Sequence, residues 1–237
     1  MIRIIGEPIN GVTDKIHTTQ EQIAELEQQS GRPRGSVTLL AVSKRQPVAK
    51  IREAAAAGLR DFGENYLQEA VEKQQQLKDL PKLIWHFIGP IQSNKTRGIS
   101  ENFDWVHSVD RSKIARRLSE QRPLHLKPLN ICIQINLSGE DTKSGTTTAQ
   151  VADLCALTDS LENIRLRGFM AIPAPTDDTD VQRENFRALS RLFDALKSKH
   201  PNMDTLSMGM SNDYGPAILQ GSTMIRLGTA LFGPRPA

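Results

Sequence analysis

The run Val37-Thr38-Leu39-Leu40-Ala41-Val42-Ser43-Lys44 decides the fold. Its first six residues are apolar apart from one threonine, so they read as a strand buried on both faces. Pro47 follows and opens a helix-like segment over 48–57. Lys44 sits where the apolar run ends. A lysine there either projects into solvent or turns its amine into the cavity that the strand ends surround, and the other strand ends bear on which.

Outward from this stretch, strands and helices alternate. Strand candidates fall at 37–42, 59–62, 83–88, 105–107, 131–135, 166–170, 205–208 and 224–227. Helical segments lie between them at 48–57, 65–78, 95–100, 112–121, 148–160, 181–199 and 215–220. In the sixth of these, Phe186, Leu189, Leu192, Phe193 and Leu196 recur on one helical face. Gly58 and Pro201 serve as stop signals. An alternating β-α order implies a parallel sheet with right-handed crossovers. Eight such units in about 200 residues favour an α/β fold closed into a (β/α)8 TIM-type barrel.

Upstream, Thr18, Thr19 and Glu21 mark an extra N-terminal helix, with Ile23 and Leu26 as a thin apolar stripe up to Gln29. Residues 1–17 read as an irregular arm, and 30–35 as a turn-rich break. The expected organisation is one domain over 1–237, with the arm and helix in 1–30 and the barrel in 37–233. The polar segment 138–145, with two glycines, reads as a loop after the fifth strand.

Composition bounds the partners. The chain has 237 residues, 24% charged and 38% apolar, with a formal net charge of +3. That charge is too small to imply a nucleic-acid partner, and the Lys and Arg between 95 and 122 read as solvated helix faces. Two cysteines, Cys132 and Cys155, lie far apart and read as small buried hydrophobes, not as a disulfide or metal pair. The opening residues are too short for a signal peptide, and no apolar stretch approaches the roughly 20 residues of a membrane span. The expectation is a cytoplasmic protein with no membrane partner.

In a barrel of this kind, reactive side chains come from the carboxyl ends of the strands and the loops after them. Those positions carry Lys44, Glu64-Asn65-Tyr66, His86, Asn136, Met210-Ser211-Asn212 and Arg226-Leu227-Gly228-Thr229. Ser211 starts a short helix after Gly209, and Gly228-Thr229 follows the eighth strand into another turn. Each has a plain reading as a cap or a turn. Together, in the two loops where this fold frequently holds phosphate, they make an anion site. A phosphate opposite a partly desolvated lysine points to a phosphorylated aldehyde held as a Schiff base, with pyridoxal 5'-phosphate as the candidate. Arg226 leaves the strand on the same face as Gly228 and can donate to the pyridine nitrogen; a barrel-rim ion pair is its alternative role.

Six stretches then show a resemblance. They are Ala41-Val42-Ser43-Lys44, Phe62-Gly63-Glu64-Asn65-Tyr66-Leu67-Gln68-Glu69, His86-Phe87-Ile88-Gly89-Pro90-Ile91-Gln92-Ser93-Asn94-Lys95, Gly168-Phe169-Met170-Ala171-Ile172-Pro173, Met208-Gly209-Met210-Ser211-Asn212-Asp213, and 225–233. In that order they resemble the pyridoxal phosphate homeostasis protein family, from about 37 to 233. Phe169 stands where leucine is common in the family. The resemblance implies a fold-type III barrel similar to the amino-terminal domain of alanine racemase, with the cofactor on Lys44. It implies Ser211, Gly228 and Thr229 at the phosphate and Arg226 at the ring nitrogen. Asn65, His86 and Met210 complete the cofactor-binding set. It further implies a monomeric or weakly associated protein, linked to vitamin B6 balance and in transient contact with apo-enzymes that use the cofactor.

Two functions remain open, a carrier of pyridoxal phosphate and an amino-acid racemase. Racemisation needs an acid/base group on each face of the substrate. The racemases that this barrel resembles take the second group, a tyrosine, from another domain, and here the chain stops at Ala237. Tyr66 and Tyr214 are its two tyrosines. Neither is an obvious substitute, so the expectation is a carrier without catalytic residues.

Overall fold

The computed structural model describes residues 11–137 and 144–234. Helix α1 (Val12–Gln29) comes first. The strands are β1 (Thr38–Val42), β2 (Asp61–Glu64), β3 (Ile84–Phe87), β4 (Trp105–Val109), β5 (Leu129–Gln134), β6 (Ile164–Met170), β7 (Thr205–Ser207) and β8 (Met224–Leu227). Between them run α2 (Val48–Ala56), α3 (Leu67–Gln76), α4 (Thr96–Asn102), α5 (Ser112–Gln121), α6 (Val151–Asp159), α7 (Thr179–Lys197) and α8 (Tyr214–Leu219). All strand pairs are parallel, and β1 pairs with both β2 and β8, so the sheet closes into a (β/α)8 barrel.

Several boundaries differ from the sequence reading, each for a physical reason. Helix α1 begins at Val12, so 12–17 are helical and not an irregular arm. Its buried face is Val12, Ile16, Thr19, Ile23 and Glu27, and the two polar members hide the apolar stripe. Strand β2 starts at Asp61, two residues later than expected. Gly58, with φ of 101°, ends the α2 turn, and pairing of Asp61 with Ile84 and Glu64 with Phe87 sets the strand's extent. Helix α7 starts early because Asp178 caps it, accepting from the amides of Asp180 and Val181 at 2.9 and 3.2 Å. The turn after β8 winds into a short helix, α9 (Thr229–Phe232). The first ten residues of the expected arm, and 138–143 of the expected polar loop, lie outside the described residues.

The main core lies between sheet and helices. Outward residues such as Leu39, Ala41, Phe62, Phe87, Val106, Ile131, Ile133, Ile225 and Leu227 meet Ile51, Ile99, Ile114, Leu118, Phe186 and Leu189 from the helices. Each fully buried Leu, Ile or Phe contributes about 1.5–3 kcal/mol. Phe169 is buried edge-on to Phe193 with centroids 6.1 Å apart, so the packing accommodates the larger ring. Cys132 and Cys155 are buried free thiols, also as expected. Gly168 lies inside β6 at φ 145°, and a Cβ there would sit 1.9 Å from the Thr205 carbonyl oxygen. Only glycine allows β6 and β7 to approach this closely.

The inner lining is different. Alternation along the strands turns Gly63, His86, Trp105, His107, Ser207 and Arg226 inward with Leu40, Cys132 and Met224. Barrel interiors are usually filled by branched aliphatic side chains; this one carries a line of buried polar groups.

Glu27 fixes how the chain enters β1. It is 1% exposed, and its carboxylate accepts from the amides of Val37 at 2.7 Å and Gly35 at 2.9 Å and from the Ser36 hydroxyl at 3.2 Å. Glu27→Ala strands these donors and should lower stability by about 2–6 kcal/mol, counting one to three for each of the two amides left unpaired. Urea titration reads this as a lower midpoint; an unchanged midpoint would show that the turn stands without its carboxylate.

Candidate functional site at the strand ends

Lys44 is half-buried two residues past Val42, the last residue of β1, and the backbone on both sides of it is clamped from α3. The Lys73 ammonium donates to the Ser43 carbonyl at 2.7 Å, and the Arg45 amide donates to the Glu69 carboxylate. Arg45 has φ of 57°, a left-handed conformation that costs about 1 kcal/mol or more in a residue with a side chain. Lys73 also meets Glu64 and Glu69 at 2.7 Å each, and the Ser43 hydroxyl donates to Glu64 at 2.7 Å. Glu64 is fully buried, and burial pushes its carboxyl above the ordinary range against the pull of Lys73. Lys73 and Glu69 stand one helical turn apart on α3, so their pairing is local; Glu64 and Ser43 arrive from two strands.

Arg226 projects inward from β8 with 4% exposure. Its NH1 donates to the Ser207 carbonyl at 2.6 Å and to the Ser207 hydroxyl at 2.8 Å, and NH2 donates to the Ala171 carbonyl at 2.9 Å. Desolvation brings its pKa down to about 10, with Asp213 pulling the other way, so it stays a cation at neutral pH. Three of its five N–H groups are thereby committed.

The register of β1 with β8 sets Leu227 opposite Ala41, which brings Gly228 beside Val42, two residues before Lys44. A Cβ on Gly228 would lie 3.3 Å from the Val42 carbonyl oxygen, so glycine keeps that approach open. Thr229 is exposed at the start of α9. The β7–α8 loop is tied to β8 by the Arg226 amide donating to the Gly209 carbonyl at 3.0 Å. In that loop the Met210 amide donates to Asp213 at 2.6 Å. Half-buried Ser211 follows and lines a cleft of about 360 Å³ shared with Gln22, Leu26 and Gln29 of α1. Asn65 packs its backbone against Gly89, whose Cβ would lie 2.3 Å from the Asn65 carbonyl oxygen. Among the described residues, two buried side-chain oxygens have no hydrogen-bond partner, Glu64 Oε2 and Asn65 Oδ1, both at the end of β2.

His86 sits differently from the rest. It is fully buried inside the barrel, with Nδ1 2.9 Å from His107 Nε2 and Nε2 3.0 Å from Asp61 Oδ1. It reaches Arg226 only through His107 and Ser207. Sequence reasoning missed Lys73, Asp61, His107 and Ser207. The available signal was polar residues at inward positions of short strands, and a Glu–Lys pair at i,i+4 in the helix after β2. Among the described residues no group of His, Cys, Asp or Glu is placed to hold a metal, and no helix is long and apolar enough to cross a membrane.

Comparison with known proteins converges on one family. The family model described as "Alanine racemase, N-terminal domain" matches residues 16–236. A pyridoxal phosphate homeostasis protein of Pseudomonas aeruginosa is 56% identical over 224 residues, covering 94% of this chain and 96% of the relative. That of Escherichia coli K12 is 48% identical over 229 residues, covering 96% and 98%. The structure of PipY from Synechococcus elongatus, solved with PLP bound, superposes with a TM-score of 0.83 at 37% identity, covering 94% of this chain and all of that one.

Removing Lys73 leaves Glu64 buried without its counter-ion. Lys73→Met should therefore cost about 3–5 kcal/mol by denaturant titration. The pH dependence of Glu64 has a definite sign. Its folded pKa is raised, so its contribution is fully present below the ordinary carboxylate value near 4.5 and is lost as pH rises through the folded value. Wild type should lose stability relative to Glu64→Gln as pH climbs from about 4.5; a difference that is flat with pH would mean the ion cluster cancels the burial effect.

Proposed function

The chain belongs to the pyridoxal phosphate homeostasis protein family, and on that premise we propose that it carries pyridoxal 5'-phosphate, holding it as a Schiff base on Lys44. The observation that carries the reading is the pairing of β1 with β8, which brings Gly228 beside Val42 in the strand that ends at Lys44, with Arg226 two residues earlier in β8. The residues fit the ligand's three ends. The Lys44 amine meets the aldehyde, with loss of water. Arg226 keeps N–H groups for which the described residues offer no acceptor, and an unprotonated pyridine nitrogen accepts from them. The hydroxyls of Ser211 and Thr229, with the open backbone of Gly228, suit the phosphate, and Met210 stands beside Ser211 with its own amide held by Asp213. The unpartnered Asn65 oxygen stands at the next strand end. His86 acts from within the barrel and not as a direct contact.

The ligand, when bound, supplies an electron sink for amino-acid chemistry. A guanidinium donates a hydrogen bond but yields no proton, so it leaves that sink weak. The tyrosines favour the same reading. The Tyr214 hydroxyl donates to Gln22 of α1 at 2.8 Å, and Tyr66 is half-exposed at the start of α3. Neither is held as a second base. Storage and delivery of the cofactor to apo-enzymes by transient contact therefore suit the site better than turnover, in a protein that works as a monomer in the cytoplasm.

Purified protein incubated with pyridoxal phosphate should turn yellow, and borohydride should fix the ligand on Lys44 as seen by peptide mass spectrometry. Label elsewhere, or label undiminished in Lys44→Ala, would reject the assignment. Exchange of the alanine α-proton for deuterium should stay at the level of free pyridoxal phosphate; rapid exchange would favour a racemase.

A further inference from the structure

Hydrogen bonds cross the barrel interior from β8 to β2. Arg226 NH1 meets Ser207 Oγ at 2.8 Å, Ser207 Oγ meets His107 Nδ1 at 2.9 Å, His107 Nε2 meets His86 Nδ1 at 2.9 Å, and His86 Nε2 meets Asp61 Oδ1 at 3.0 Å. Ser207, His107 and His86 are each 0% exposed. Asp61 stands at the opposite end of the barrel from Lys44 and opens into a cleft of about 440 Å³ with Thr38, Leu59, Arg34 and Arg60.

The ends of the chain dictate its direction. Arginine only donates, and a carboxylate only accepts. Ser207 Oγ therefore accepts from Arg226 and turns its own proton to His107 Nδ1. His107 donates from Nε2 to His86 Nδ1, and His86 donates from Nε2 to Asp61. In this direction each imidazole donates from Nε2 and accepts at Nδ1, and every hydrogen bond in the line has one donor and one acceptor. In the reverse direction His107 would donate to Ser207, whose hydroxyl would then face the donor-only arginine with no acceptor in the line. Surrounding groups favour a neutral His107. Burial holds His107 well below its ordinary value, with His86 and Arg226 adding to the effect. Cys132 is a neutral thiol, pushed up to about 12 by burial. Trp105 stacks on His86 with centroids 5.4 Å apart, and Arg167, paired with Asp204, covers that indole at 4.6 Å. Asp213 faces Arg226 from the β7–α8 loop.

We propose that Asp61, His86, His107 and Ser207 are positioning residues for Arg226: the carboxylate at the barrel floor fixes the direction of the hydrogen-bond line, and that direction fixes which guanidinium N–H groups remain for a ligand at the strand ends. The ligand in question is the pyridine nitrogen of the cofactor, so this part rests on the function proposed above. A proton added at His107 Nδ1 would displace the Ser207 donor, and burial opposes that charge, so the arginine's orientation should be indifferent to pH across the range where histidine ordinarily titrates.

Two readouts separate this inference from the reading beneath it. In the unloaded chain labelled with ¹⁵N-histidine, long-range nitrogen correlation should show His107 as a neutral Nε2–H tautomer from about pH 5 to about pH 8. An Nδ1–H tautomer or an imidazolium at His107 would overturn the stated direction. In protein loaded with pyridoxal phosphate, the visible band should be independent of pH over that range. It should shift in Asp61→Asn and in Ser207→Ala, while the surface change Asp79→Asn leaves it in place. Bands identical to wild type in both variants, each checked for unaltered circular dichroism, would overturn the positioning role. If wild type itself fails to load, the function reading falls and takes the link to the ring with it, while the nitrogen shifts still decide the direction of the line. If one variant does not fold, the other decides.

Discussion

The buried cluster of Glu64, Lys73 and Glu69 is the constraint on which the site depends. It satisfies a carbonyl before Lys44 and an amide after it, so the lysine's backbone cannot drift. Removing three charged groups from water is expensive, and close pairing at 2.7 Å offsets much of that cost without making the cluster a net source of stability. What it secures is geometry. The left-handed conformation of Arg45 persists because Glu69 holds its amide. A lysine on a free loop would sample many directions; here one ordinary lysine is presented by a second, buried one.

A second consequence follows from the barrel's lining. An aliphatic interior would be the more stable filling for a closed eight-stranded sheet. This chain gives up some of that stability for a line of neutral polar groups. Such a line is tolerable because each member has a partner, and a single unsatisfied group in it would cost as much as a lost core methyl or more. Stability comes instead from the outer layer, where the helices cover the sheet with Leu, Ile, Val and Phe. The division of labour places packing outside the barrel and polarity within it.

Under the proposed function the two features address different ends of the same ligand. The ion cluster holds the backbone on either side of Lys44, and the polar line ends on the guanidinium of β8, the neighbour of β1 in the closed sheet. Closure makes β1 and β8 adjacent although they stand at opposite ends of the sequence. A guanidinium partner weakens the cofactor's pull on electrons, and Tyr214 is turned to α1. On the proposed reading, a site built this way would retain a reactive aldehyde without pressing it into reaction.

Much of this was legible in the residues. The apolar run before Lys44, the β-α alternation and the count of units gave the barrel, because each strand buried on both faces must read as a short apolar run between helices. Lys44, Ser211, Arg226 and Gly228 stand out in the sequence because the carboxyl ends of barrel strands are where chemistry collects, and strand register brings Gly228 beside Val42. The start of α1 was missed because Thr19 and Glu27 break its stripe, and β2 was misplaced because its end is a charged residue. Ser43, Glu64, Glu69 and Lys73 lie up to thirty positions apart, and Asp61 and Arg226 lie further still. Local patterns carry hydrophobic period and turn chemistry, which act over a few residues. Partners across a closed barrel are set by strand register, and register exists only once the sheet has closed.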